Sequence, residues 1–288
     1  MRVEKFVNKK SQKLSDAISE NFGFANYNFV QKLLREKDVK VNGKRVSQNI
    51  EIKTGDCIEF YYSETKRLIQ IVFEDDDILI AFKPRRLETC SDDVSLETLQ
   101  TLIQSQKNIS VFAVHRIDRN TEGLVIFAKN LKAKKSLDSA IKNRKLKKYY
   151  LALVYGKVEP KNAKCEAYLK KDSEKSLVYI SDDSKAGYEK IETDYKVICQ
   201  GDETALVEVL LVTGKTHQIR AHFSHLGFPL VGDEKYGDSN VNRRLRKHFQ
   251  CLCAYKIEFH FDDSDYLNRL DGKVIELEKE KCGFCQNL

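Results

Sequence analysis

Apolar residues recur at helical spacing from Leu14 to about Leu34, where Leu14, Ala17 and Ile18 are followed by Phe29, Val30, Leu33 and Leu34 beyond a polar break, Asn21 to Asn28. Two short helices joined by a loop are predicted. The period then shortens to two. VKVNGKRV reads as a pair of alternating strands meeting at Asn42-Gly43, a dipeptide that accepts positive φ and favours a tight hairpin. CIEFYY supplies a third strand after the turn Thr54-Gly55-Asp56. Ser63 to Arg67 is polar and carries no periodic signal, so a linker is placed at residues 63–68. Residues 1–62 then make a helix-helix-sheet unit near the lower size limit for independent folding.

From Ile69 the pattern is mainly one of strands: IQIVFEDD, ILIAFKP, LVIFAK, YYLALVYGKV, YKVICQ, ALVEVLLVTG and AYKIEFHF. Helices are predicted at Leu96 to Gln106 and Leu131 to Lys145. The second brings Ala133, Leu137 and Ile141 onto one face and leaves its lysines on the other. Strands separated mostly by turns argue for an α+β fold with a mixed, mostly antiparallel sheet over residues 69–277, and against a doubly wound parallel one. Residues 278–288 read as a solvated tail, and no internal repeat is present.

Of the 288 residues 41% are hydrophobic, ample for a packed core. No stretch approaches the run of about 20 apolar residues that spans a membrane, and MRVEKFVNKKSQK lacks the apolar segment of a secretory signal. A soluble, cytoplasmic monomer without membrane contact is expected. The eight cysteines are too sparse for a disulfide framework and read as reduced thiols; Cys282 and Cys285 form a lone CxxC, half of a zinc site at best. Net charge is +7, and its distribution says more than its size. Residues 1–67 hold 14 Lys and Arg against 9 Asp and Glu, and Leu131 to Lys148 holds eight basic residues against the single acid Asp138. Two separate basic patches suggest an extended footprint for a polyanion.

One segment is unusual on physical grounds alone. In HRIDRNTEGLVIFAK, residues 115–129, Asp118 sits between Arg116 and Arg119 on a loop that runs through Thr121-Glu122-Gly123 into an apolar strand. Loops held by rigid strands are where chemistry concentrates, and arginines beside a carboxylate also attract phosphate. The segment resembles the HRLD-x-x-TSGLLLLAK signature of the RluA-type pseudouridine synthases. KYYLALVYG is similar to that family's K-x-Y-x-A-L-V-x-G pattern, and LLVTGKTHQIRAHFSHLGFPLVGDEKYG to its TGRTHQIRVHL-x-x-x-GHPI-x-GD-x-x-YG. With IVFEDDDILIAFKP as the opening strand pair, the resemblance runs from about residue 69 to 260. Residues 12–62, with the basic stretch QKLLREKDVKVNGKRV, resemble the small RNA-binding module of a small-subunit ribosomal protein, the S-four-type domain; its usual RLDK-like opening reads QKLSD here.

The resemblance implies a catalytic domain crossed by an RNA-binding cleft, and isomerisation of uridine to pseudouridine in structured RNA without a cofactor. Carried over position by position, it makes Asp118 the nucleophile, Tyr150 the ring packed beside it and Arg220 its paired cation. Arg116 then fills the space left by a flipped nucleotide, and His115 and Thr121 support the loop. Lys215 stands where arginine is usual and keeps the charge for a phosphate; Cys253 stands where histidine is common. Lys32, Arg35, Lys37, Lys44 and Arg45 are the RNA-binding candidates of the first unit. The same module points to large-subunit ribosomal RNA in preference to transfer RNA. His217, His222 and His225 lie within nine residues but have no acid or cysteine at ligand spacing, so no metal is expected. Thr213-Gly214-Lys215-Thr216 lacks the first half of a phosphate-binding loop.

Overall fold

In this computed structural model residues 2–22, 25, 27–62, 68–93, 96–278 and 282–284 are described. The chain divides into two compact units, Met1–Arg67 with Asp93–Leu96, and Leu68–Asp92 with Glu97–Leu288. Of the linker expected at residues 63–68, Ser63 to Arg67 lie outside the described residues, as does Cys285.

The first unit runs β1 (Arg2–Val7), β2 (Gln12–Lys13), α1 (Leu14–Asn21), α2 (Tyr27–Glu36), β3 (Val39–Val41), β4 (Lys44–Val46), β5 (Glu51–Ile52) and β6 (Cys57–Tyr62). Both helices turn their apolar faces onto the sheet, where Leu14, Ile18, Val30 and Leu34 pack with Ile58 and Phe60 of β6. The hairpin turn has positive φ at both Asn42 (51°) and Gly43 (80°), the conformation its sequence favours. Strand β1 was not expected. It pairs antiparallel with β6; Phe6 packs partly buried against the core of this unit while Val3 and Val7 face solvent, so its apolar residues divide between the two faces and give no period-two signal.

The second unit continues with β7 (Ile71–Glu74), β8 (Ile78–Lys83), α3 (Leu99–Lys107), β9 (Phe112–Ala113), β10 (Glu122–Ala128), α4 (Leu131–Lys142), β11 (Leu146–Tyr155), β12 (Asn162–Asp172), β13 (Leu177–Ser181) and β14 (Glu189–Gln200). It closes with β15 (Thr204–Leu211), α5 (Gln218–His225), α6 (Ser239–Arg244), β16 (Leu252–Phe259) and β17 (Val274–Glu276). One sheet has the order β13-β12-β14-β15-β11-β16-β10-β8-β7, with β9 on β10 and β17 on β16. Its pairs are antiparallel except β10 with β16, which makes it the mixed sheet of an α+β fold. The parallel pair meets at Gly123, whose φ is 124° and where any Cβ would collide with the backbone of Ala254.

Side chains alternate across this sheet into two cores. On one face α4 sets Ala133, Leu137 and Ala140 against Ile80, Ile126 and Leu151. On the other, Leu99 and Ile103 of α3 and Ile219 and Phe223 of α5 pack on Val125, Phe127, Ala152 and Val154. Each Leu, Ile, Val or Phe side chain among them, fully buried, stabilises by roughly 1.5–3 kcal/mol. Two helix limits differ from expectation. Thr98 forms a capping box with Thr101, so α3 begins at Leu99. Arg144 takes a left-handed φ of 57° and the Lys145 N–H bonds back to the Ala140 carbonyl, so the helix ends at Lys142. The tail is not wholly solvated either: Cys282 and Phe284 are buried in the α4-side core and the Gly283 N–H donates to Glu122 at 3.0 Å.

Candidate active site

Between β9 and β10 the chain makes a loop that His115 and two buried side chains, Lys83 and Gln250, hold in place. The Nε2 of His115 accepts the Ile126 N–H at 3.1 Å, and burial, with the Lys148 charge second, pulls this imidazole down to about 3. His115 is therefore neutral, with its proton on Nδ1. Lys83, at the end of β8, is buried and donates to the carbonyls of Leu87 (2.7 Å), Pro84 (3.0 Å) and Arg119 (3.0 Å). An ammonium caged by three carbonyls fixes the loop at Arg119, next to Asp118. Gln250 donates to the hydroxyl of Thr121 at 3.3 Å, and the Thr121 N–H closes a turn on the Asp118 carbonyl at 2.9 Å.

Opposite this loop, α5 opens at His217, whose left-handed φ of 52° and 2.9 Å contact with the Tyr236 hydroxyl set the helix start. Gln218 accepts from Thr213 and from the Lys215 N–H, and donates to Glu192 and Thr193, knotting the Thr213-Gly214-Lys215 turn onto β14. Arg220 is thereby aimed at two carboxylates. Its Nη1 donates to Asp118 Oδ2 at 2.9 Å, while Nε and Nη2 donate to Asp233 at 2.6 and 3.0 Å. The side chain of Asp233 is fully buried, that of Asp118 27% exposed. Asp233 also takes the N–H groups of Lys235 (2.9 Å) and Tyr236 (3.1 Å). Burial would raise its carboxyl, but the Arg220 bonds and charge and these two amides bring it below the usual range. The expected partnership of Arg220 is thus wider than its motif alone implies: the bidentate pair is with Asp233, and Asp118 takes the remaining donor.

Tyr150 lies on β11 with 5% exposure, and burial, then the Asp118 charge, pushes its phenol above the ordinary tyrosine value. Asp118, Tyr150, Arg220, His115, Arg116 and Lys215 all line one cavity of about 570 Å³, a size that suits a nucleotide-sized ligand.

Residues 77–225, more than half of the 288-residue chain, match the family model described as RNA pseudouridylate synthase. The chain belongs to this family. An "Uncharacterized RNA pseudouridine synthase" of Mycoplasma capricolum is 30% identical over 95% of this chain and 97% of its own length. The "Ribosomal large subunit pseudouridine synthase C" of Buchnera aphidicola is 29% identical over 84% of this chain and 82% of its own. Among solved structures, "Human RNA Pseudouridylate Synthase Domain Containing 1" shares the fold, with a TM-score of 0.59 and 24% identity over 79% of this chain and 98% of that one.

In this pseudouridine synthase the other predicted residues separate by unit. Arg116, its side chain 72% exposed, stands 3.7 Å from Glu88 and also lines a second cavity beside the first. Lys215 pairs with Glu189 at the rim. Lys32, Arg35, Lys37, Lys44 and Arg45 belong to the first unit, all exposed, and Arg45 ties the β3–β4 hairpin to the end of α2 by donating to the Lys37 carbonyl at 2.7 Å. The three histidines turn to different partners: His217 to Tyr236, His222 to Thr193 and His225 to Asp182. Cys253 is buried on β16, opposite Leu151 of the neighbouring strand β11. Asp233, Tyr236 and Lys83 were not singled out. The first two sit in the GDEKYG end of the third motif and the last in FKP, so position within a matched motif was their signal.

Proposed function

We propose that this enzyme converts uridine to pseudouridine in large-subunit ribosomal RNA, with the carboxylate of Asp118 as its nucleophile and the target base flipped into the cavity. Isomerisation breaks the bond between C1′ and N1, turns the uracil, and joins C1′ to C5; the proton lost from C5 is matched by one gained at N1. Whether the carboxylate attacks C1′, adds to the ring or drives elimination at the sugar, it has to stand beside the ribose with a fixed aim. Arg220 supplies that aim, being itself held by the buried Asp233. Tyr150, kept protonated by burial, offers a ring face for the uracil and a phenol that can pass a proton during rearrangement. The guanidinium of Arg116, exposed at the cavity, would occupy the gap that a flipped nucleotide leaves. The ribosomal assignment is supported by the name of the Buchnera relative.

The observation that carries this reading is the convergence of Asp118, Tyr150 and Arg220 on one cavity. Asp118→Asn should abolish pseudouridine formation and leave RNA affinity near that of the parent, since the amide keeps the volume. Turnover within tenfold of the parent would remove Asp118 from the role. Mapping pseudouridines in ribosomal and transfer RNA from cells with and without the gene tests the substrate class.

A further inference from the structure

Cations facing the substrate cavity mostly have acidic partners. Arg220 is held by Asp118 and Asp233, Arg116 stands 3.7 Å from Glu88, Arg144 makes bonds of 3.0 and 3.1 Å to Glu192, and Lys215 meets Glu189. Lys142 has no such partner among the described residues, but it is exposed to water. Lys148 is different. It is partly buried and lines the cavity, yet among the described residues its ammonium has neither a hydrogen bond nor a carboxylate at ion-pair distance.

The strand explains where this charge points. Side chains two apart on a strand share a face and stand about 6.6 Å apart, so Lys148 projects from β11 beside Tyr150 into the same cavity as Asp118. Across the cavity its Nζ reaches the Thr213-Gly214-Lys215 turn, where a Cβ on Gly214 would lie 3.6 Å from it. His115, whose imidazole feels the Lys148 charge, gives no compensation, because it is neutral and its Nε2 is already engaged by the Ile126 N–H. Burial draws the Lys148 ammonium below the usual lysine range. A charge stripped of part of its water without a counter-ion destabilises the free protein. Substrate can compensate it. On the reading of this cavity as the target-nucleotide site, the uracil ring is uncharged and the anion that RNA brings is its phosphate.

We propose that Lys148 is a phosphate-binding residue of the substrate cleft, whose ammonium takes a backbone phosphate at the target nucleotide and so sets the ribose against Asp118. It acts as a positioning residue and takes no part in bond making. The helix lysines of α4 would bind phosphate from the surface; Lys148 binds it inside.

The test compares Lys148→Met, Lys148→Arg and Asp118→Asn with the parent, all as full chains, on one large-subunit ribosomal RNA transcript. Three quantities are measured: melting temperature without RNA, affinity across a salt series, and single-turnover rate. Removing one phosphate-binding charge should make the log–log salt slope shallower by about 0.7, as for single-stranded sites. Loss of one charge-assisted bond should weaken binding about tenfold at low salt. Lys148→Met should keep or raise the melting temperature, because it removes an uncompensated charge, and Lys148→Arg should restore the slope. A Lys148→Met slope equal to the parent's overturns the proposal, even if affinity falls, since the lysine would then not be neutralising a phosphate. A melting temperature several degrees lower overturns it as well, by making the residue structural. Normal turnover by Asp118→Asn would instead break the reading of the cavity as the catalytic site, a failure separate from that of Lys148.

Discussion

Arg220 bridges two carboxylates of unequal burial, and that inequality decides what its removal does. With the guanidinium gone, Asp118 is rehydrated at the cavity wall, whereas Asp233 is left as a buried charge with only two amides. Stranding one member of a buried pair costs about 3–5 kcal/mol. Arg220→Ala should therefore lose that much in urea unfolding as well as its activity. Replacing both members by apolar residues of similar volume often restores stability. The double variant Arg220→Met, Asp233→Leu should accordingly refold to near parental stability while remaining inactive. A double variant as unstable as Arg220→Ala would show that the pair is not the source of the loss. Asp118, by contrast, was legible from its motif, and its partial exposure means that its substitution should touch chemistry and spare the fold. Asp233 was not legible as the bidentate partner, because only folding brings together residues 13 positions apart on a helix and a loop.

Among the elements, legibility followed how one-sided each environment is. Strands β8 and β10 were evident from their unbroken apolar runs, for both faces of each are covered. Helix α5, which carries Arg220, gave no amphipathic stripe because Gln218 to Phe223 are all buried. Strand β1 gave no alternation to read, since Phe6 packs against the core while Val3 and Val7 face solvent. The buried polar groups of these elements make the fold sensitive to acid. Burial holds His115 at about 3 and His222, on α5, at about 4, against an ordinary 6.5. Below about pH 6.5 the unfolded chain binds protons that the folded one refuses, so stability should fall as the pH drops from 6.5 towards 4. Each such histidine contributes about 1.4 kcal/mol per pH unit within its window. The melting temperature of His222→Gln should fall less steeply than the parent's between pH 6.5 and 4.5; parallel profiles would mean that His222 is not held neutral.

At the scale of the whole molecule, charge and chemistry are divided between the two units. Residues 1–67 carry +5 of the net +7, and Lys32, Arg35, Lys37, Lys44 and Arg45 are all exposed there, around a core of their own. Asp118, Tyr150, Arg220 and Asp233 belong to the second unit, with its separate cores. If the first unit is an RNA-binding module of the S-four type, it neutralises phosphates without adding reacting groups. Deleting residues 1–62 should then weaken RNA binding and flatten its salt dependence by about 0.7 for each phosphate no longer neutralised. Single-turnover rate on saturating RNA should change much less, because the residues that aim Asp118 remain. Folded RNA is recognised largely by shape and backbone, so the truncated enzyme should also modify additional uridines. Salt-dependent binding, single-turnover rate and a pseudouridine map, compared for full-length and truncated protein on one RNA, check all three. Truncation that left affinity and slope unchanged would make the basic face of the first unit an ordinary solvated surface. The whole electrostatic hold on RNA would then fall to the cations around the cavity, Lys148 among them, and to the lysines of α4.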